Sequence, residues 1–237
     1  MRLNFLGLDG CLALRSGYLV TVNMQHLYEC RRVPELRDCI FASRHAHLCV
    51  DGHGAHKLLA SRAEGPVELV AGNRMLDAWL AAGAGKRLLV IGSDAETMAI
   101  IRRKFPALEI VQDDRRIPPL DIAGGAAVAA TLVEAHGRQW DGIAIALGVP
   151  KQEFLARGLA ELISDAPIFC IGGSFEMIAD RLPRSPQWLQ RLGLEGVWRL
   201  ALEPNGKRVE RLVLSYANFF DLLLRPSRLE ALLGTGR

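Results

Sequence analysis

The sequence predicts an α/β fold, a parallel sheet with helices on both faces followed by a helical C-terminal segment. Three observations carry this. Short β-branched or apolar runs recur along the chain, each too short for a helix. They alternate with helical stretches of about ten to fifteen residues, the pattern of βαβ units. From Pro186 onward no strand candidate remains, and residues 188–202 and 207–224 read as two helices.

Taken in order, Tyr18–Val22 is a β-branched run closed by Asn23. Residues 24–42 are helical and divided by Pro34, which has no N–H to give. Ala46–Val50 is the second strand and runs into Asp51-Gly52-His53-Gly54. Residues 56–62 and 75–82 have helical character, the latter ending at Gly83. Residues 87–91 form a strand, and Asp94 caps a helix to Lys104. A short strand at 108–111 precedes an Ala-rich helix at 123–136, stopped by Gly137. The Ile-rich run that opens 142–153 is bounded by Asp141-Gly142 and Gly148 and reads as a buried strand. Pro150 sits where the next helix, 152–163, begins. A last strand, 168–171, stops at Gly172-Gly173-Ser174. Residues 207–224 are amphipathic, with Leu212, Tyr216, Phe219, Phe220 and Leu223 on one face, and Pro226 is expected to end that helix.

A chain of 237 residues, half of them hydrophobic, can bury a sizeable core. The net charge of +3 is unevenly spread. Residues 181–237 carry ten Lys and Arg against five Asp and Glu, and the remainder is net negative. The C-terminal quarter therefore prefers an anionic partner: phosphate, nucleic acid or an anionic membrane surface. The five cysteines are odd in number, scattered and without a C-x-x-C, which reads as buried free thiols in a reducing compartment. Asp9 and Arg15 interrupt the apolar N-terminus, so no signal peptide is expected. No run reaches the roughly 18–20 apolar residues that span a bilayer.

Four strand ends present polar or Gly-rich turns: Thr21-Val22-Asn23, Asp51-Gly52-His53-Gly54, the stretch from Gly148 through Pro150, Lys151, Gln152 and Glu153, and Gly172-Gly173-Ser174. Parallel strands bring these to one rim, where ligands of open α/β sheets bind. A cation, an amide and a carboxylate in series suit a polar, anionic ligand, and a Gly-Gly-Ser turn can bring N–H groups to a phosphate. Neither G-x-G-x-x-G after the first strand nor G-x-x-x-x-G-K-[ST] occurs, which argues against dinucleotide and P-loop sites. A competing constellation, His45 and His47 with Asp51, His53 and His56, has the H-x-H look of a metal-dependent hydrolase. Such a site needs ligands from later strands, and the only later histidine, His136, ends a helix.

The ordered series Thr21-x-Asn23, Asp51-Gly-x-Gly54, Leu147-Gly-x-Pro-Lys-Gln-Glu153, Gly172-Gly-Ser-Phe175, Arg181-x-x-Arg184-x-Pro186-x-Trp188, Arg199-Leu and Glu203-Pro204 resembles the WecG/TagA/CpsF family of bacterial glycosyltransferases. The resemblance covers about residues 19–212, and Pro-Lys-Gln-Glu with Gly-Gly-Ser-Phe is its most specific part. It implies a Rossmann-like α/β catalytic domain over residues 1–185 and a C-terminal helical, membrane-associating appendage over 186–237. It further implies inverting, metal-independent transfer of a sugar (N-acetylmannosamine, its uronic acid, glucose or a relative) from a UDP-sugar donor. The acceptor would be an undecaprenyl-diphosphate-linked saccharide in exopolysaccharide or other cell-surface polymer synthesis. The implied setting is the cytoplasmic face of the membrane, with an anionic membrane surface as partner, no nucleic acid and no cofactor. A homo-oligomer is left open.

On the same resemblance Asp51 matches the family's proposed catalytic base, and Thr21 and Asn23 match pocket residues beside it. Arg199, Arg208 and Arg211 correspond to appendage arginines that close over the donor's diphosphate. Gly52, His53, Gly148, Pro150, Lys151, Gln152, Glu153, Gly172, Gly173 and Ser174 complete the expected substrate contacts. Inverting transfer needs one base for the acceptor hydroxyl and cations or N–H groups for the leaving UDP. The chain departs from the family pattern in having Glu176 for Asp, Ser185 for Ala and Gly196-Val197-Trp198 for Trp-Leu-Tyr. It also has Asn205-Gly206 after Pro204, a short N-terminus before Thr21 and no aromatic turn near Asp113-Asp114-Arg115. A non-catalytic nucleotide-sugar-binding relative is the third reading.

Overall fold

A computed structural model describes residues 2–183, 186, 189, 195–202, 204 and 206–234. Its centre is one six-stranded sheet of β1 (Tyr18–Val22), β2 (Ala46–Val50), β3 (Arg87–Gly92), β4 (Glu109–Asp113), β5 (Gly142–Ala146) and β6 (Ile168–Cys170). Every pairing is parallel, in the order β2-β1-β6-β5-β3-β4. Alternate side chains enter opposite layers. On one face Val20, Val22, Val50, Ile145 and Ile168 meet α2 (Met24–Cys30), α3 (Pro34–Phe41), α4 (His53–Leu59), α7 (Ile122–His136) and α8 (Lys151–Leu162). On the other, Leu19, Cys49, Leu88, Val90 and Phe169 meet α1 (Leu8–Leu12), α5 (Gly72–Ala81), α6 (Ala95–Lys104) and α9 (Ser174–Ile178). Burial from both sides explains why the strands read as continuous apolar runs rather than alternating ones. The α/β architecture with helices on both faces is thus present, and all five cysteines are buried free thiols.

Helices α7 and α8 approach almost to backbone contact. A Cβ on Gly125 would lie 2.5 Å from the Phe154 carbonyl oxygen, and one on Gly158 would lie 2.8 Å from that of Gly125. The small residues of the Ala-rich helix therefore form a packing seam.

Several element ends differ from expectation. Helix α4 starts at His53 rather than at residue 56 and continues as a 3₁₀ turn, Ala60–Arg62. Gly54 falls inside it because Met24 Cγ, 3.1 Å from a would-be Cβ, and Phe219 Cδ2, at 3.7 Å, occupy the space a side chain would need. Pro226 does end one helix, but it also opens another as an N1 residue. This helix, α12 (Pro226–Leu233), is closed by Gly234 at φ +66°.

The described C-terminal elements are α10 (Glu195–Leu202), α11 (Gly206–Leu224) and α12. Leu222 of α11 and Leu229, Leu232 and Leu233 of α12 join the core under the sheet. Arg31 of α2 donates to Asn218 Oδ1 at 2.7 Å and pairs with Asp221 at 2.9 Å, while Arg62 pairs with Glu230 at 3.0 Å. The opposite side of α11 carries a stripe of exposed apolar residues, Val209, Val213, Phe220 and Leu224, and Val197 of α10 is exposed as well. Among the described residues no helix is long and apolar enough to cross a membrane.

Candidate functional site

The sheet order locates a crevice. After β1 the chain turns into α2 on one face, whereas after its neighbour β6 it turns into α9 on the other. Ligands of open α/β sheets bind where successive connections diverge in this way. The rim of this crevice is built from the four strand ends singled out in the sequence, joined by the start of α5.

At the end of β1, Thr21 is buried and faces α5. A Cβ on Gly72 would lie 3.4 Å from its hydroxyl oxygen and 3.6 Å from Ser174 Oγ, so the starts of α5 and α9 converge on Thr21. Asn23 has extended backbone and caps α2, its Oδ1 accepting from the N–H groups of Gln25 (3.0 Å) and His26 (3.3 Å). At the end of β2, the Asp51 N–H donates to the Val22 carbonyl at 2.9 Å, which sets Asp51 beside the β1 end with its side chain half-buried. Gly52 follows at φ +84° with nothing within 4 Å of a would-be Cβ, and Gly148 at the end of β5 is equally open. Both glycines leave room beside the rim. His53 Nδ1 is buried without a hydrogen-bond partner among the described residues.

The Pro-Lys-Gln-Glu block lies where the sequence suggested, with Pro150 as the residue before α8, joined to Val149 by a cis peptide bond. Its side chains are largely committed within the fold. Lys151 donates one hydrogen bond to the Ile117 carbonyl at 3.1 Å. Gln152 is 3 % exposed and Glu153 is fully buried. Both were expected among the substrate contacts; the structure buries them behind the rim. In the β6 turn, Gly172 at φ +49° donates its N–H to Gln152 Oε1 at 3.0 Å, and Ser174 N–H and Oγ both bond the Ile171 carbonyl. Of the three N–H groups read as a phosphate cradle, only that of Gly173 is uncommitted among the described residues.

His26 was missed in the sequence. It is 1 % exposed and bonds Asn23 through Nδ1 and Glu153 through Nε2. Its one local signal is position: three residues after an N-cap asparagine, where a side chain can bond back to the cap. The start of α5, Gly72-Asn73-Arg74, was likewise not foreseen at the rim.

The histidines of the competing constellation do not assemble. His45 and His47 lie at the start of β2, where His45 pairs with Glu161 at 3.5 Å. Burial, then the neighbouring His45, pushes His47 below the ordinary imidazole range. His53 lies past the far end of the strand, roughly 15 Å away by strand rise, and His56 Nε2 donates to the Val67 carbonyl, 2.9 Å away. Among the described residues no group of three or more His, Cys, Asp or Glu is placed to hold a metal ion.

Arg199 falls in α10, and Arg208 and Arg211 fall in α11, but their side chains lie outside what is described; Arg184, Trp188, Glu203 and Asn205 lie outside the described residues altogether. Arg181 is described. It binds Asp94 (2.6 Å), Thr97 (2.8 Å) and Glu96 (2.8 Å), tying the segment after α9 to the start of α6. Hydrogen bonds from Thr97, aided by Arg181, hold Asp94 down to about 2. Compared with known protein families, residues 8–231 match the model of the glycosyl transferase WecG/TagA/CpsF family.

Proposed function

The chain belongs to the WecG/TagA/CpsF family of glycosyltransferases, enzymes of cell-surface polymer synthesis that transfer a sugar from a nucleotide-sugar donor to a saccharide acceptor, and from that premise we propose an inverting, metal-independent transfer from a UDP-sugar to an undecaprenyl-diphosphate-linked saccharide. The observation that carries the reading is the placement of Asp51. It is the half-buried carboxylate that the β1–β2 pairing sets beside Thr21 and Asn23, at the open Gly52 turn. An inverting displacement needs one base within reach of the attacking hydroxyl, and a carboxylate at the strand ends supplies it.

In this reading Asp51 takes the acceptor's proton as its oxygen bonds the anomeric carbon and the bond to UDP breaks on the opposite side. Arg199, Arg208 and Arg211 neutralise the leaving diphosphate, which replaces a metal ion in that role. The exposed apolar stripe of α11 and the basic C-terminal quarter support docking at an anionic membrane surface, where the lipid-linked acceptor resides. A panel of UDP-sugars tested against lipid-diphosphate-linked acceptors, with and without EDTA, examines the proposal. Turnover with at least one UDP-sugar, undiminished by chelation and with inverted product stereochemistry, is expected. Activity lost to EDTA and restored by a divalent cation, or UDP-sugar binding without turnover on any acceptor, would refute it.

A further inference from the structure

Behind the crevice, one unbroken run of hydrogen bonds joins the ends of β1, β5 and β6. Asn23, the cap of α2, contacts His26 Nδ1 at 3.0 Å. His26 Nε2 meets Glu153 Oε1 at 3.0 Å. The same oxygen accepts from Gln152 Nε2 at 2.6 Å, and Gln152 Oε1 accepts the Gly172 N–H at 3.0 Å. His26, Gln152 and Glu153 are all at least 97 % buried.

The direction of this run is set by chemistry. The Gly172 N–H can only donate, so the amide of Gln152 must turn its oxygen toward Gly172. Its nitrogen then faces Glu153 Oε1, which accepts. The reversed amide would oppose acceptor to acceptor and donor to donor. Stability alone does not account for Glu153. A fully buried carboxylate is costly, its Oε2 has no partner among the described residues, and an apolar side chain in such a place is often as stable or more so. What the carboxylate supplies is the orientation of Gln152.

We propose that Glu153 is a positioning residue: held by His26, its carboxylate sets the Gln152 amide, which pins the Gly172 N–H and thereby the conformation of the β6 turn at the crevice. The role for the ligand rests on the reading of that crevice as the donor site. Glu153 touches no substrate in this account and acts only through Gln152.

The test uses the full chain and NMR. In the unaltered protein the Gln152 side-chain amide should give two resolved, slowly exchanging protons. In Glu153→Leu the Gly172 N–H should exchange about tenfold faster, the loss expected for one hydrogen bond, while the amides of Ile145 and Phe169 in the neighbouring strands keep their protection. Glu153→Gln retains an acceptor for Gln152 and should return much of the protection. Affinity for UDP should fall in Glu153→Leu and lie between the two in Glu153→Gln. A freely rotating, rapidly exchanging Gln152 amide in the unaltered protein would overturn the proposal even were Glu153→Leu unable to fold. Acceleration spread evenly through β5 and β6 would also overturn it, since the pair would then be only structural. So would local acceleration with unchanged UDP affinity. If the unaltered chain binds no UDP yet shows the Gly172 pattern, the positioning of the turn stands and the donor-site reading fails.

Discussion

Asp51 directly follows one edge strand, β2, and Asp113 ends the other, β4, and their surroundings separate their roles. Burial works against the charge of Asp113, but hydrogen bonds from Arg115 and His136 outweigh it and hold the carboxyl below the ordinary carboxylate range. Its partners lie at 2.8 Å (Arg115 Nε) and 2.6 Å (His136 Nε2), so Asp113 is a structural anion. Because its folded pKa is depressed, its contribution is fully present above the unfolded value and is lost as pH falls through the folded one. Asp113→Asn should therefore cost about 1–2 kcal/mol at pH 7, read as a lower urea midpoint. The gap should close on acidification below about pH 4, and a gap constant from pH 7 to pH 3 would exclude this account. Asp51 sits instead beside the open Gly52 turn. Asp51→Asn should lower turnover by about 10²-fold or more with UDP affinity little changed; near-normal turnover would remove it from the role of base.

At the scale of elements, the α7–α8 seam sets competing effects against each other. Replacing helical glycine by alanine gains about 1 kcal/mol in propensity. At Gly125, however, the new methyl carbon would sit 2.5 Å from backbone oxygen, where no flexible side chain can yield. Overpacking costs about 1–3 kcal/mol, so the clash wins and Gly125→Ala should be destabilising by denaturant titration. A neutral or stabilised variant would mean the helices can part freely. Strands and most helices were legible because burial on both faces writes itself as short apolar runs between caps and glycines. Helix α12 is not legible in this way, because a proline after a helix serves equally as its stop and as N1 of the next. The start of helix α4 is hidden because Gly52 and Gly54 look alike in sequence; only the first has positive φ, and the second makes room for Met24 and Phe219. In the site, the rim residues could be read from the strand ends. The bond from His26 to Glu153 could not, since its partners are 127 residues apart and a Lys-Gln-Glu run has the composition of a solvated first turn.

For the whole molecule, the C-terminal segment has two sides with different fates. Leu222, Leu229, Leu232 and Leu233 are buried with the sheet's own core. At about 1.5–3 kcal/mol each their burial is comparable with the 5–15 kcal/mol by which whole domains are stable. Removing α11 and α12 would therefore compromise the fold, and the proposed membrane docking is better probed by surface changes. Val209 and Val213 are 46 % and 60 % exposed, one helical turn apart on α11. The double change Val209→Asp with Val213→Asp should leave the melting temperature near that of the unaltered chain while reducing cosedimentation with anionic vesicles severalfold. Undiminished vesicle binding would show that this stripe is not the docking surface.

The burial of those leucines also bears on biosynthesis. The last strand of the sheet closes at Cys170, yet the layer beneath β1 and β2 still lacks the leucines of α11 and α12. Synthesis runs at about 5–20 residues per second, so for several seconds after the last strand is made the nascent chain lacks the four leucines that complete one apolar layer. That interval ends only as residues 222–233 emerge and join the core built by the earlier part of the chain.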